Sequence, residues 1–325
     1  MLALLASCGG HDPDAAPDAS PDDGPDGAVP AAPRDWAAHP AIVSIDGART
    51  IVALSDVHGG ADRAIALLSR HGLIVVAPGA APAWTGGDTV LVVVGDLIDK
   101  GPAPIEAIDL FRGLEAQAAA AGGRVVVTLG NHEAEFLHDP ENDKATASAG
   151  YDVELRAHGL DPVASASWSD ARGRWLRELP FGARVGHWFF AHAGDTHGHS
   201  LPELEALLRA AVDAHDYGDA AVIGDDSILE SRAWWEASTG VAARDAAAVG
   251  ARHIVFGHDP NALGARGAIA TAEDGALFRI DCGMSPDVDD SAGALLRVRR
   301  DGDTEIAEEL AADGTLRELW RGPAP

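Results

Sequence analysis

The sequence predicts an α/β domain of the α+β layered kind, with its chemistry gathered at the ends of core strands. Three observations predict it. Several aliphatic, β-branched runs read as strands buried on both faces, and each stops abruptly at a small polar cluster. Amphipathic helical stretches lie between the earlier runs. The last thirty or so residues instead alternate in short runs punctuated by Asp-Gly turns, the pattern of antiparallel strands.

The central run is Thr89-Val90-Leu91-Val92-Val93-Val94, followed by Gly95-Asp96-Leu97-Ile98-Asp99-Lys100-Gly101-Pro102. The carboxyl end of a parallel strand is where open α/β sheets carry their chemistry. A plainer alternative is a polar loop in which Asp99 caps the next helix. Upstream, 49–54 is the first core strand, ending in Ser55-Asp56-Val57-His58-Gly59-Gly60. Asp56 and His58 are two apart, so both side chains leave an extended backbone on one face. Residues 61–71 read as a helix stopped by Gly72, and 104–121 as a second helix ending at Gly122-Gly123. A third strand, 124–129, runs into Gly130-Asn131-His132-Glu133.

Residues 135–184 are the least regular part and read as a helical cap-like insertion. A single strand is expected over 185–191, ending at His192-Ala193-Gly194-Asp195, and then an amphipathic helix over 201–214. Strand 252–256 ends at Gly257-His258-Asp259, and 276–281 leads into Cys282-Gly283-Met284-Ser285.

A chain of 325 residues can bury a full core as one large domain. Its 51 acids outweigh 24 bases, giving a formal charge of -27, of which seven Asp and one Arg put -6 in residues 1–35. Such a surface repels nucleic acid and anionic membrane, because phosphate backbones are bound by Lys and Arg. An anionic substrate requires a locally positive site. The two cysteines, Cys8 and Cys282, support neither a disulfide framework nor a cysteine zinc site, so any metal is held by oxygen and imidazole.

Residues 1–8 resemble the end of a bacterial lipoprotein signal. Leu5-Ala6-Ser7-Cys8 fits the cleavage box, although the basic segment is missing and the apolar run is short. A start codon assigned too late accounts for both. Residues 9–35, rich in Asp, Pro and Ala, cannot bury enough apolar surface to offset ordering entropy and read as a disordered tether. The folded domain is expected over 36–322. Membrane association is expected only through a lipid on Cys8, in the bacterial cell envelope, because no later stretch is long and apolar enough to span a bilayer.

Five strand ends thus carry metal-binding types: Asp56 and His58, Asp96, Asn131 and His132, His192, and His258. Two divalent ions need roughly this inventory, with one carboxylate shared between them. In this order the motifs resemble the signatures of the calcineurin-like metallophosphoesterases. Gly-Asn-His-Glu and a single late Gly-His resemble the phosphoprotein phosphatase branch. Trp84-Thr85-Gly86-Gly87-Asp88 and Ile280-Asp281-Cys282-Gly283-Met284-Ser285 are most similar to the Shewanella-like protein phosphatases.

The resemblance implies a β-sandwich flanked by helices and two divalent ions (Mn, Fe or Zn). It implies that Asp56 and His58 bind the first ion, that Asp96 bridges, and that Asn131, His192 and His258 bind the second. A metal-bridging hydroxide is then the nucleophile, and His132, held by Asp99, the general acid. The substrate implied is a phosphorylated protein or a small phosphoester. Lys100 replaces the family's phosphate-gripping arginine, supplying charge without the bidentate fork. Arg232 resembles the family's later phosphate-binding arginine. Two alternatives stand beside this reading: a dinucleoside polyphosphate hydrolase of the same superfamily, and a non-catalytic surface lipoprotein that keeps the fold for binding.

Overall fold

The computed structural model describes residues 34–324, apart from 239 and 265. The expected lipoprotein signal at Cys8 and nearly all of the expected tether lie outside the described residues.

Two six-stranded sheets form a sandwich. One runs β14-β13-β12-β2-β5-β6, the other β1-β7-β8-β9-β11-β10. The first contains β2 (Thr50–Leu54), β5 (Val90–Val94), β6 (Arg124–Thr128), β12 (Ala294–Asp301), β13 (Thr304–Ala311) and β14 (Leu316–Pro323). The second contains β1 (Ile42–Ile45), β7 (Gly182–Val185), β8 (Trp188–Ala191), β9 (His253–Phe256), β10 (Ala270–Ala272) and β11 (Leu277–Arg279). A small ribbon, β3 (Ile74–Val75) with β4 (Ala83–Trp84), stands apart. β2, β5 and β6 are mutually parallel, as are β8, β9 and β11, and β12–β14 form the expected antiparallel meander.

The period-2 alternation of the central strands explains the layers. Ala53, Val92, Val94 and Val126 point between the sheets, where they meet Val185, Trp188, Phe190, Val255 and Phe278. Val52, Leu54, Leu91 and Val93 point outward, beneath helices α1 (Ala61–Arg70) and α2 (Pro104–Ala120), which contribute Leu67, Leu68, Ile108 and Phe111. All five residues of β5 are buried, as a strand covered on both faces requires. Pro104 opens α2 at the position where its missing N–H costs no helical bond.

Helix α3 (Asn131–His138) follows β6 directly, and α4 (Tyr151–Ala157), α5 (Pro162–Ser165) and α6 (Ala171–Arg177) fill the irregular region. α7 (Leu201–Asp213) has a capping box, with the Glu203 carboxylate accepting from the Ser200 N–H at 2.8 Å. Among the described residues no helix is long and apolar enough to cross a membrane.

Three expectations are corrected. The run 185–191 is not one strand but the second half of a hairpin: Gly186, at φ 60°, reverses the chain between β7 and β8. Residues 182–184, expected in the cap-like insertion, belong instead to β7, which pairs in parallel with β1, a strand the sequence did not signal. Arg34 lies within the folded body, not in a tether. The residue is 4% exposed, and its guanidinium donates to the carbonyls of His39, Arg177, Leu179 and Pro40 at 2.9–3.1 Å.

Candidate metal centre

Each sequence-predicted ligand stands just beyond the carboxyl end of a parallel strand, Asn131 as the first residue of α3 and the others on loops. The loops after β2 and β5 are stitched together by backbone bonds from Asp56 N to Gly95 O, His58 N to Asp96 O and Gly59 N to Leu97 O, at 3.2, 2.9 and 2.7 Å. Glu133 fastens the loop after β5 to α3. Its carboxylate accepts the N–H groups of Asp96, Leu97, Ile98 and Gly130 at 2.7–3.2 Å. Burial, and then the adjacent Asp96, nonetheless push its pKa up to about 7. Glu133 is therefore a loop support. Gly130 has no alternative: a Cβ there would meet Asp96 N and Oδ1 at 2.3 Å.

Asp56, His58, Asp96, Asn131, His132, His192 and His258 are all buried, none more than 8% exposed. Two groups of side chains converge closely enough to share an ion: His58, Asp96 and His132, and Asp96, His192 and His258. Asp96 belongs to both. Its Oδ2 lies 3.5 Å from His58 Nε2, and its Oδ1 3.3 Å from His192 Nε2. Asp56 flanks the first group, its Oδ1 3.9 Å from His58 Nε2, and both its oxygens accept from His258 N at 3.1 Å. Asn131 Oδ1 sits 3.0 Å from His192 Nε2.

Backbone carbonyls set the imidazole tautomers. His58 Nδ1 donates to Ile98 O at 2.9 Å and His192 Nδ1 to Val94 O at 3.0 Å, which leaves both Nε2 lone pairs facing inward. Burial, and then the positive neighbours His192 and Arg232, depress His258 to about 2. For His192 burial also acts downward, but Asp96 outweighs it and raises the pKa to about 10, the mark of a site that favours positive charge. Burial, followed by the nearby Asp281 and Asp96, drives Asp56 well above the usual carboxylate range. Buried acids crowded this closely call for positive charge, and a donor set of imidazole nitrogen, carboxylate and one amide oxygen fits two divalent ions.

His132 Nδ1 donates to Asp99 Oδ2 at 2.7 Å, and its Nε2 faces the centre, 3.9 Å from Asp96 Oδ2. The second oxygen of Asp99 accepts the Tyr151 N–H at 2.7 Å, so the first turn of α4 holds the carboxylate that holds the imidazole. Lys100 turns inward, its Nζ 3.2 Å from His58 Nε2. Arg232 lies at the mouth, half exposed, with Nη1 3.5 Å from Asp259 Oδ2.

Six residues of this rim, Asp56, His58, Asp96, Asp99, Lys100 and His258, have φ between 44° and 65°. That left-handed region is sparsely populated by non-glycine residues, and such conformations gather at functional sites.

Sequence reasoning missed three contributors. Asp281, 2% exposed, follows β11 just as the ligands follow their strands, and that position was its signal. Glu135 lies one helical turn beyond Asn131, and its Oε1 accepts from Asn131 Nδ2 at 3.2 Å. Glu230 lies in an irregular loop without a pattern, yet its backbone oxygen accepts from His258 Nε2 at 3.1 Å.

A sandwich rim bearing two ligand groups that share one aspartate, beside a histidine–carboxylate pair, is the architecture of a metallophosphoesterase. The chain belongs to the calcineurin-like phosphoesterase family, whose family model matches residues 49–277. It is 34% identical over 83 residues to Shewanella-like protein phosphatase 2 of Arabidopsis thaliana, a match covering 26% of this chain and 20% of that one. It is 33% identical over 119 residues to a symmetrical bis(5'-nucleosyl)-tetraphosphatase of Aromatoleum aromaticum, covering 37% and 38%. The chain thus spans well under half the length of either relative. A cold-active protein-tyrosine phosphatase from a psychrophilic Shewanella species shares the fold, with a TM-score of 0.70 over 85% of this chain and 82% of that one, at 20% identity.

Proposed function

We propose that this protein hydrolyses phosphomonoesters on phosphorylated proteins with the help of two divalent ions, Mn, Fe or Zn. The observation that carries the proposal is the shared Asp96 between two ligand groups with the His132–Asp99 pair alongside. Asp56, His58 and Asp96 would hold one ion, and Asp96, Asn131, His192 and His258 the other. Bound there, the ions would neutralise charge developing on the phosphoryl oxygens and acidify a water near neutral pH.

The chain's own residues do the rest. Lys100, beside His58, and Arg232, beside Asp259, offer positive charge to the phosphate dianion. Asp99 fixes the Nδ1–H tautomer of His132 and orients its ring. His132 then gives the proton on Nε2 to the leaving serine, threonine or tyrosine oxygen. The departing alcohol leaves neutral, so no unstable alkoxide forms.

The similarity to a dinucleoside tetraphosphatase motivates the second reading. Phosphopeptide turnover by Mn-loaded protein should exceed turnover of diadenosine tetraphosphate by at least about tenfold in kcat/KM, roughly 1.4 kcal/mol of transition-state preference. The reverse order would transfer the assignment to the polyphosphate hydrolase. The complete ligand set argues against a protein that retains the fold only for binding.

We further propose that a lipid on Cys8 anchors the enzyme in the bacterial cell envelope, which rests on the Leu5-Ala6-Ser7-Cys8 box alone. Radiolabelled palmitate should enter the wild-type protein expressed behind a complete signal, and Cys8→Ala should abolish the label. Equal labelling of both would remove the anchor from the account.

A further inference from the structure

Beyond the ligands lies a charged bridge that the catalytic reading does not use. Lys144, in the loop between α3 and α4, pairs its ammonium with Glu135 Oε1 and lies 3.7 Å from Glu230 Oε1. Each of these glutamates in turn serves a different ligand of the second cation. A carboxylate only accepts, so Glu135 can bind only the NH₂ end of the Asn131 amide, at 3.2 Å. That bond turns Asn131 Oδ1, the end able to coordinate, toward the centre and to 3.0 Å from His192 Nε2.

Glu230 acts on His258 in the same sense. Its backbone oxygen accepts from His258 Nε2 at 3.1 Å, and its Oε2 stands 3.7 Å from the same nitrogen. With Nε2 committed as a donor, the Nδ1 lone pair of His258 is left for coordination. The loop carrying Glu230 is itself pinned to the loop after β8. Ser231 Oγ donates to Asp195 Oδ2 at 2.8 Å, and Trp234 Nε1 donates to Ala193 O at 3.0 Å. Glu230 therefore cannot drift from His258 without breaking buried bonds.

We propose that Glu135 and Glu230, bridged by Lys144, are positioning residues for the second cation, through which the loop between α3 and α4 governs occupancy of that half of the centre. The inference rests on the dinuclear reading above. It assigns these three residues to one cation and not the other, because neither Glu135 nor Glu230 contacts Asp56 or His58 among the described interactions.

Calorimetric titration of metal-stripped protein with Mn²⁺ tests it. Wild type should bind two equivalents. Glu135→Ala should leave the first equivalent unchanged and weaken the second about 10- to 100-fold, the usual effect of removing a partner behind a ligand. Glu230→Ala keeps the backbone acceptor of His258 and removes only the nearby carboxylate, so it should weaken the second equivalent by a smaller factor, again without touching the first. Lys144→Ala should weaken the second equivalent by a smaller factor, and Lys144→Arg should restore it, because a second cation can span both carboxylates. A second equivalent of wild-type affinity in both glutamate variants would overturn the proposal. So would an equal fall in both equivalents, which marks general disruption. Fewer than two equivalents in the wild type would instead sink the dinuclear reading, and this inference with it, before any variant is compared.

Discussion

Asp96→Asn is expected to lose aryl phosphate hydrolysis by about a thousandfold or more, equivalent to roughly 4 kcal/mol of transition-state stabilisation. The substitution keeps the side chain's size and the hydrogen bond that Oδ1 accepts from His132 N at 3.2 Å. It removes the one negative charge common to both ligand groups. The fold should survive, because the loop after β5 is held by Glu133 and by backbone bonds rather than by the Asp96 carboxylate. Metal analysis of the variant should accordingly show fewer than two ions per chain, with an unchanged circular dichroism spectrum. Turnover close to wild type in well-folded Asp96→Asn protein would be incompatible with a shared bridging ligand.

His132→Ala has the second-largest expected effect, and its size should depend on the leaving group. General acid catalysis contributes roughly 10²–10⁴-fold when the departing oxygen needs a proton. A phosphoserine peptide has such a poor leaving group, whereas p-nitrophenyl phosphate leaves as a stable anion. The loss in kcat should therefore be about a hundredfold or more on the peptide and much smaller on the aryl ester. Asp99→Asn should follow the same pattern more weakly, because it spoils the tautomer of His132 while leaving the imidazole in place. Equal losses on both substrates would remove His132 from the proton-donor role and leave it as a structural or ligand residue.

The parts of the molecule legible in the sequence were those written in local pattern. β5 announced itself because five consecutive aliphatic residues admit no other reading, and the glycine and carboxylates after it mark a strand end. α1 and α2 followed from apolar spacing and terminal glycine or proline. The ligands were legible because each follows its strand immediately, so position on a rim could be inferred without knowing which strands are neighbours. What depends on distant partners was not legible. β1 is four residues long and gains its strand character from pairing with β7, about 140 residues later. The turn at Gly186 is a single glycine between Val185 and the aromatic run after His187, with no Asn-Gly or Asp-Gly signal, so the hairpin was hidden. Tyr151, within the stretch 135–184 expected as an insertion, gave no signal of its role, since its contribution is a backbone N–H, which no side-chain pattern reports.

The left-handed backbone at six rim residues has a consequence for how such an enzyme ages in evolution. Each non-glycine residue held there costs on the order of 1 kcal/mol, so together they draw off an amount comparable to a domain's whole net stability. Selection for turnover keeps that burden in place. Once such selection lapses, glycine or asparagine at these positions relaxes the chain, and descendants that abandon the chemistry inherit a sturdier scaffold than their working ancestor.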